Sequence, residues 1–73
     1  MHTQKIQILE NEILEINNHI RDNKKQIKKR EKITSMVVDE DLKVEILMYE
    51  EEIEKLTGEL KFRKELLKNY KSL

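Results

Sequence analysis

Apolar residues in this sequence recur at alternating steps of three and four, first through Ile6, Leu9, Ile13, Ile16, Ile20 and Ile27, with one longer step across Asn23. This is a heptad seam with isoleucine at every a position and with Asn23 and Arg30 interrupting d. A second seam runs through Leu42, Ile46, Tyr49, Ile53, Leu56, Leu60, Leu67 and Tyr70, with Arg63 in its one polar slot. The two seams are out of phase. Extending the first frame places Thr34 at a, Val37 at d and Asp41 at a, whereas the second begins at Leu42. The pattern therefore describes two helices with a break between them.

The chain has no proline and one glycine, and strong helix formers dominate it, so the helices are long. The break lies in ITSMVVDED, residues 33–41. Ile33, Thr34, Val37 and Val38 are β-branched and poor in helix, Ser35 can hydrogen-bond to backbone, and Asp39 suits an N-cap. Glu40 and Asp41 behind it favour the positive end of a helix dipole. The reading places helix 1 at about 3–33, the turn at about 34–38 and helix 2 at about 39–71, as a single unit spanning 1–73. Met36, Val37 and Val38 are expected to plug the apolar tip.

Charge selects the direction of pairing. Residues 1–20 carry net −2, 21–32 carry +5, 39–54 carry −7 and 55–73 carry +4. Folding the chain back sets +5 beside −7 and −2 beside +4. A continuous helix, about 110 Å long, in a parallel dimer would set each block against its own copy. The e positions give a finer expectation: with the turn centred near 37 and 38, Glu31 meets Lys43, Lys24 meets Glu50, Asn17 meets Thr57 and Glu10 meets Lys64. The fold class expected is all-α, an antiparallel two-helix hairpin resembling a coiled coil.

A chain of 73 residues buries only about 60% of its unfolded surface, so an isolated core is marginal. No cysteine is present for disulfides, and His2 and His19 are too far apart for a local metal pair. Oligomerisation is the staple that remains, as a four-helix bundle or a larger helical assembly, with a homodimer favoured. Fifteen basic against fifteen acidic residues argue against a dedicated polyanion binder. No apolar run approaches the roughly 20 residues of a membrane span, and MHTQKIQILENE lacks the features of a signal peptide. These features lead to the expectation of a protein of the bacterial cytoplasm without membrane contact. Richness in Lys, Ile, Glu and Asn suggests an AT-rich bacterial or phage genome.

Two sets of residues are left over by the hairpin. Ile8, Leu14, Phe62 and Leu66 lie off the seam at the open end, while Val44, Leu47 and Met48 widen the second stripe near the turn, beside Tyr49. Such patches suit self-association or the reception of a partner helix. The other set is NKKQIKKREK, residues 23–32, with five lysines and an arginine. Lys24 is expected to face Glu50, and Arg30 to pack its stem at the seam. Lys25, Lys28, Lys29 and Lys32, with Arg21 one turn earlier, fall on the outward side. They read as a solvated face supported by an Asp22 and Lys25 pair, a dock for an acidic protein surface such as Glu51 and Glu54 of another subunit, or a phosphate grip.

Nothing in the sequence assembles a catalytic, metal or cofactor site. EEEIE, residues 50–54, clusters carboxylates, but successive helix positions point about 100° apart and do not converge on a metal. Short bacterial helical hairpins that dephosphorylate sporulation response regulators carry Ser-Gln-Glu-Leu-Asp in their second helix. The nearest stretch here, Thr57 to Lys61, shares only Glu59 and Leu60 and ends in lysine instead of the acid, so it implies no phosphatase activity. Asn23 reads as a register device, and Gly58 as a bend, a close approach or a tolerated cost. The functional expectation is a non-enzymatic small regulator, inhibitor or assembly factor, phage or mobile-element encoded, that binds a protein partner not identified by the sequence. The alternatives are a nucleic-acid-associated protein using the basic face, or a purely structural oligomerisation module.

Overall fold

The computed structural model describes residues 2–72, which form two α-helices, α1 (Thr3–Thr34) and α2 (Glu40–Ser72), packed side by side. The molecule is a rod with principal Cα extents of 56 × 14 × 13 Å. Each helix comes within a residue of the limits expected from the sequence. α2 starts where Asp39 caps it: Oδ1 accepts hydrogen bonds from the backbone N–H of Asp41 at 3.0 Å and of Leu42 at 3.2 Å. The orphan amides of a first helical turn are satisfied in this way, and Glu40 and Asp41 add favourable charge. α1 ends as Thr34 and Ser35 turn their hydroxyls back onto the carbonyls of Glu31 and Lys32, at 3.1 and 2.8 Å. Met36 and Val37 both donate backbone N–H groups to the Ile33 carbonyl.

The chain reverses without a left-handed residue, since no described residue has positive φ. The apolar residues of the turn do not plug the tip, contrary to expectation: Met36 is 78% exposed, Val37 59% and Val38 81%. A hairpin of two helices has no third element to cover its end. Once Ser35 prolongs the helical backbone and Asp39 caps the next helix, the residues between them are turned outward.

Every seam position read from the sequence is buried or half-buried. Burial is deepest along the d column of α1, where Leu9, Ile16 and Asn23 follow one another at heptad spacing; Leu56, also a d residue, is the buried residue of α2. Asn23 is the most secluded of these, 5% exposed, and its Nδ2 has no hydrogen-bond partner among the described residues. An amide left so costs about 1–3 kcal/mol. Replacing it with a residue that fits the column, Asn23→Leu, is expected to raise unfolding free energy by about that amount, measured by urea denaturation. Loss of a single helix register would accompany the gain if the amide sets it.

Gly58 has open space around it: a methyl group built at its Cα meets nothing within 4 Å. Its carbonyl and amide sit in regular helix, so neither a bend nor a close approach within the chain requires it. Gly58→Ala is expected to stabilise the helix by about 1 kcal/mol. A chain of this size converts that into a rise in melting temperature of about 4–8 °C, read by thermal circular dichroism.

Candidate interaction surfaces

The antiparallel pairing gives the rod two flanks. Positions e of both helices border one: Glu10 Oε2 lies 3.7 Å from Lys71 Nζ. Positions g border the other, where His19 Nε2 meets Glu52 Oε1 at 3.0 Å. The g flank also holds two reciprocal pairs, each joining a seam arginine to a glutamate of the opposite helix. Arg63 Nε donates to Glu12 at 2.6 Å, and Arg30 Nε donates to Glu45 at 3.3 Å. The first lies toward the open end and the second toward the turn.

Local partners hold both arginines in place. Arg30 also donates to the Gln26 carbonyl and side-chain oxygens and lies 4.8 Å above the Tyr49 ring. A guanidinium over a tyrosine face is attracted by the ring quadrupole. Arg63 donates to the Glu59 carbonyl, and its hydrogen bond to Glu12 holds its guanidinium above the usual arginine range, against the opposing effect of partial desolvation. At the open end, Lys5 sits 5.6 Å over the Tyr70 ring, whose centroid is 5.2 Å from that of His2.

The e-position pairs expected from the sequence do not form. Glu10 reaches Lys71, one heptad beyond Lys64, and Lys43 turns to Glu40 within its own helix at 3.5 Å. Glu31 with Lys43, Lys24 with Glu50, and Asp22 with Lys25 are absent from the ion pairs of the described residues. Long side chains on an exposed flank can choose between partners a heptad apart, because exposed pairs contribute little. The seam arginines cannot choose, since their stems are fixed in the packing. Their pairing with g glutamates lies outside the e-position comparison; its signal in the sequence is an arginine at d with a glutamate at g on the other helix.

The outward basic residues keep their exposure. Arg21 bonds Asn18, whereas Lys25, Lys28, Lys29 and Lys32 have no ion pair among the described residues. The surplus apolar residues are distributed less simply. Val44, Leu47 and Met48 are all exposed and span an arc of about 100° on the outside of α2. Tyr49 is set apart from them, half-buried in the seam under Arg30. At the open end, Ile8, Leu14 and Phe62 are exposed and Leu66 is half-buried. Leu14 lies about 120° around α1 from Ile8, so one face does not hold all four.

Sorted by flank, the charges separate. The side made by e and b positions carries eight basic residues, Arg21, Lys24, Lys28, Lys43, Lys61, Lys64, Lys68 and Lys71, against five acidic ones, Glu10, Glu31, Glu40, Glu50 and Glu54. The side made by g and c positions carries seven acidic residues, Glu12, Glu15, Asp22, Asp41, Glu45, Glu52 and Glu59, against three basic ones, Lys5, Lys29 and Lys55. A chain with formal net charge +0 is thus a rod with one flank at +3 and the other at −4. Shallow grooves run along both: Thr57, Leu60, Lys61, Lys64, Glu65 and Lys68 line one, and Glu45, Met48, Tyr49 and Glu52 line the other.

Among the described residues, no group of three or more His, Cys, Asp or Glu side chains is placed to hold a metal ion. Among the same residues, no helix is long and apolar enough to cross a membrane. Comparison with protein-family models, with curated proteins and with solved structures returns no match.

The seam pair at the open end lends itself to a coupling measurement. Glu12→Gln and Arg63→Met are each expected to lower the urea midpoint, and the double variant to lower it by less than the two effects added together. The coupling should shrink in 1 M NaCl, because the pair is only partly shielded from solvent.

Proposed function

We propose that the chain is a non-enzymatic protein-binding module, a self-associating helical hairpin that acts as a small regulator, inhibitor or assembly factor. One observation carries this reading. Among the described residues, only Leu9, Ile16 and Leu56 of the apolar side chains are buried, and none of them fully, whereas ten large apolar residues are exposed. A hairpin that presents more large apolar side chains to water than it buries gains stability from any surface that covers them. The stripe of Val44, Leu47 and Met48 is the part suited to receive a partner helix, with methionine adapting to its shape. Its mode of action would be steric: covering a partner surface or standing in for one of its helices.

The test compares the unaltered chain with a variant carrying Val44→Ser, Leu47→Ser and Met48→Ser. Affinity capture from the host lysate and light scattering of the purified chain are run on both. Loss of a stoichiometric captured protein together with the stripe supports a partner-binding role. Capture that survives while self-association is lost assigns the stripe a structural role only.

A second reading rests on the exposed Lys25, Lys28, Lys29 and Lys32, which have no ion-pair partner among the described residues. These could contact phosphates of a nucleic acid if association aligned several copies of the face. Gel-shift titration with duplex DNA decides it: binding at physiological salt that falls steeply as salt rises supports this reading, and no shift removes it.

A further inference from the structure

Self-association leaves open which surfaces meet, and the distribution of charge limits the choice. A two-fold dimer joined through a flank sets the same flank of both copies together, which here means −4 against −4 or +3 against +3. Like charges brought face to face are unfavourable, and the penalty grows as the surfaces dry. Joining unlike flanks removes it. From the flank charges and the exposed apolar residues we propose that the hairpin assembles with copies of itself head-to-tail in the lateral sense, the e/b flank of one copy on the g/c flank of the next. The proposal rests on the self-association reading above and specifies its surface.

With neighbouring hairpins pointing the same way, each helix lies against its own counterpart, b positions against c positions at nearly the same height. Arg21 then comes within reach of Asp22 of the next copy, Glu31 of Lys29, and Glu54 of Lys55. Leu47 meets Met48 of the next copy, so each copy offers half of its outer α2 stripe to either neighbour. Four oppositions run the other way, Lys28 with Lys29, Glu40 with Asp41, Glu10 with Glu12 and Glu50 with Glu52, so the net charge of the flanks, and not a count of single contacts, is what favours the pairing. The apolar contribution is concentrated on the g/c flank, where Ile8, Ile33, Met48 and Phe62 are all exposed. Such an interface is not self-complementary. It repeats from copy to copy and ends only if the assembly closes into a ring.

The test uses two variants of the full chain, altered at exposed helical positions. One inverts the basic flank at the open end, Lys61→Glu with Lys64→Glu. The other alters the acidic flank nearer the turn, Asp22→Lys with Met48→Lys. The changes sit at different heights, so the two altered flanks do not complement each other. Mass is followed by light scattering over a concentration series, with helical content checked by circular dichroism. The unaltered chain should grow in mass with concentration and dissociate as NaCl rises toward 1 M, a result that needs no variant. Each variant alone should be monomeric, and an equal mixture should stop at a heterodimer, each partner supplying its one intact flank. A discrete dimer that persists in both variants, or a mixture that stays monomeric beside an associating unaltered chain, overturns the head-to-tail arrangement and leaves self-association standing. An unaltered chain that is monomeric at every concentration overturns both.

Discussion

Register in this molecule depends on two arginines that belong to the seam and discharge themselves outside it. Arg30 and Arg63 each occupy a position where the heptad asks for an apolar residue, and each sends its guanidinium to a glutamate at the g edge of the opposite helix. The two pairs are related by an approximate two-fold axis across the rod. A helix sliding by one heptad past the other would break both at once, and the stems would drag charge through the apolar layer. The apolar seam alone lacks this property, because its isoleucines and leucines are nearly interchangeable from one heptad to the next.

Asn23 acts in the same sense with the opposite energetic sign. It stands between the two arginine pairs, in the deepest column, with an amide hydrogen-bond donor left without a partner. Aliphatic residues at every d position would make a more stable hairpin with fewer marks to tell one alignment from another. The three polar interruptions of the heptad pattern thus divide the seam into short apolar stretches. Some burial is thereby sacrificed for a unique alignment of the two helices.

Much of this was legible in the sequence because periodicity is a strong signal in a chain without proline. Membership of the two seams could be read position by position, from Ile6 to Tyr70. Asp39 could be read as a cap because an acidic run followed a β-branched one. Pairing on the flanks was not legible. Heptad spacing leaves partners ambiguous by seven residues, and Glu10 settles on Lys71 rather than Lys64. The tip was misread for a different reason: Met36, Val37 and Val38 look like core by composition, and only the absence of a covering element turns them outward. The polarity of the rod is invisible in blocks of sequence, since each block contributes residues to both flanks.

The spacing of the two arginine pairs along the chain also has a kinetic side. Arg30 and Glu45 are separated by 15 residues, whereas Arg63 and Glu12 are separated by 51. Closing the longer loop costs about 1 kcal/mol more in chain entropy when nothing between has formed. Once the turn is made and the nearer pair is set, each further heptad closes at little added cost. Loop entropy therefore favours zipping from the connection toward the termini. The same entropy makes the pair at the open end the most costly to close unaided.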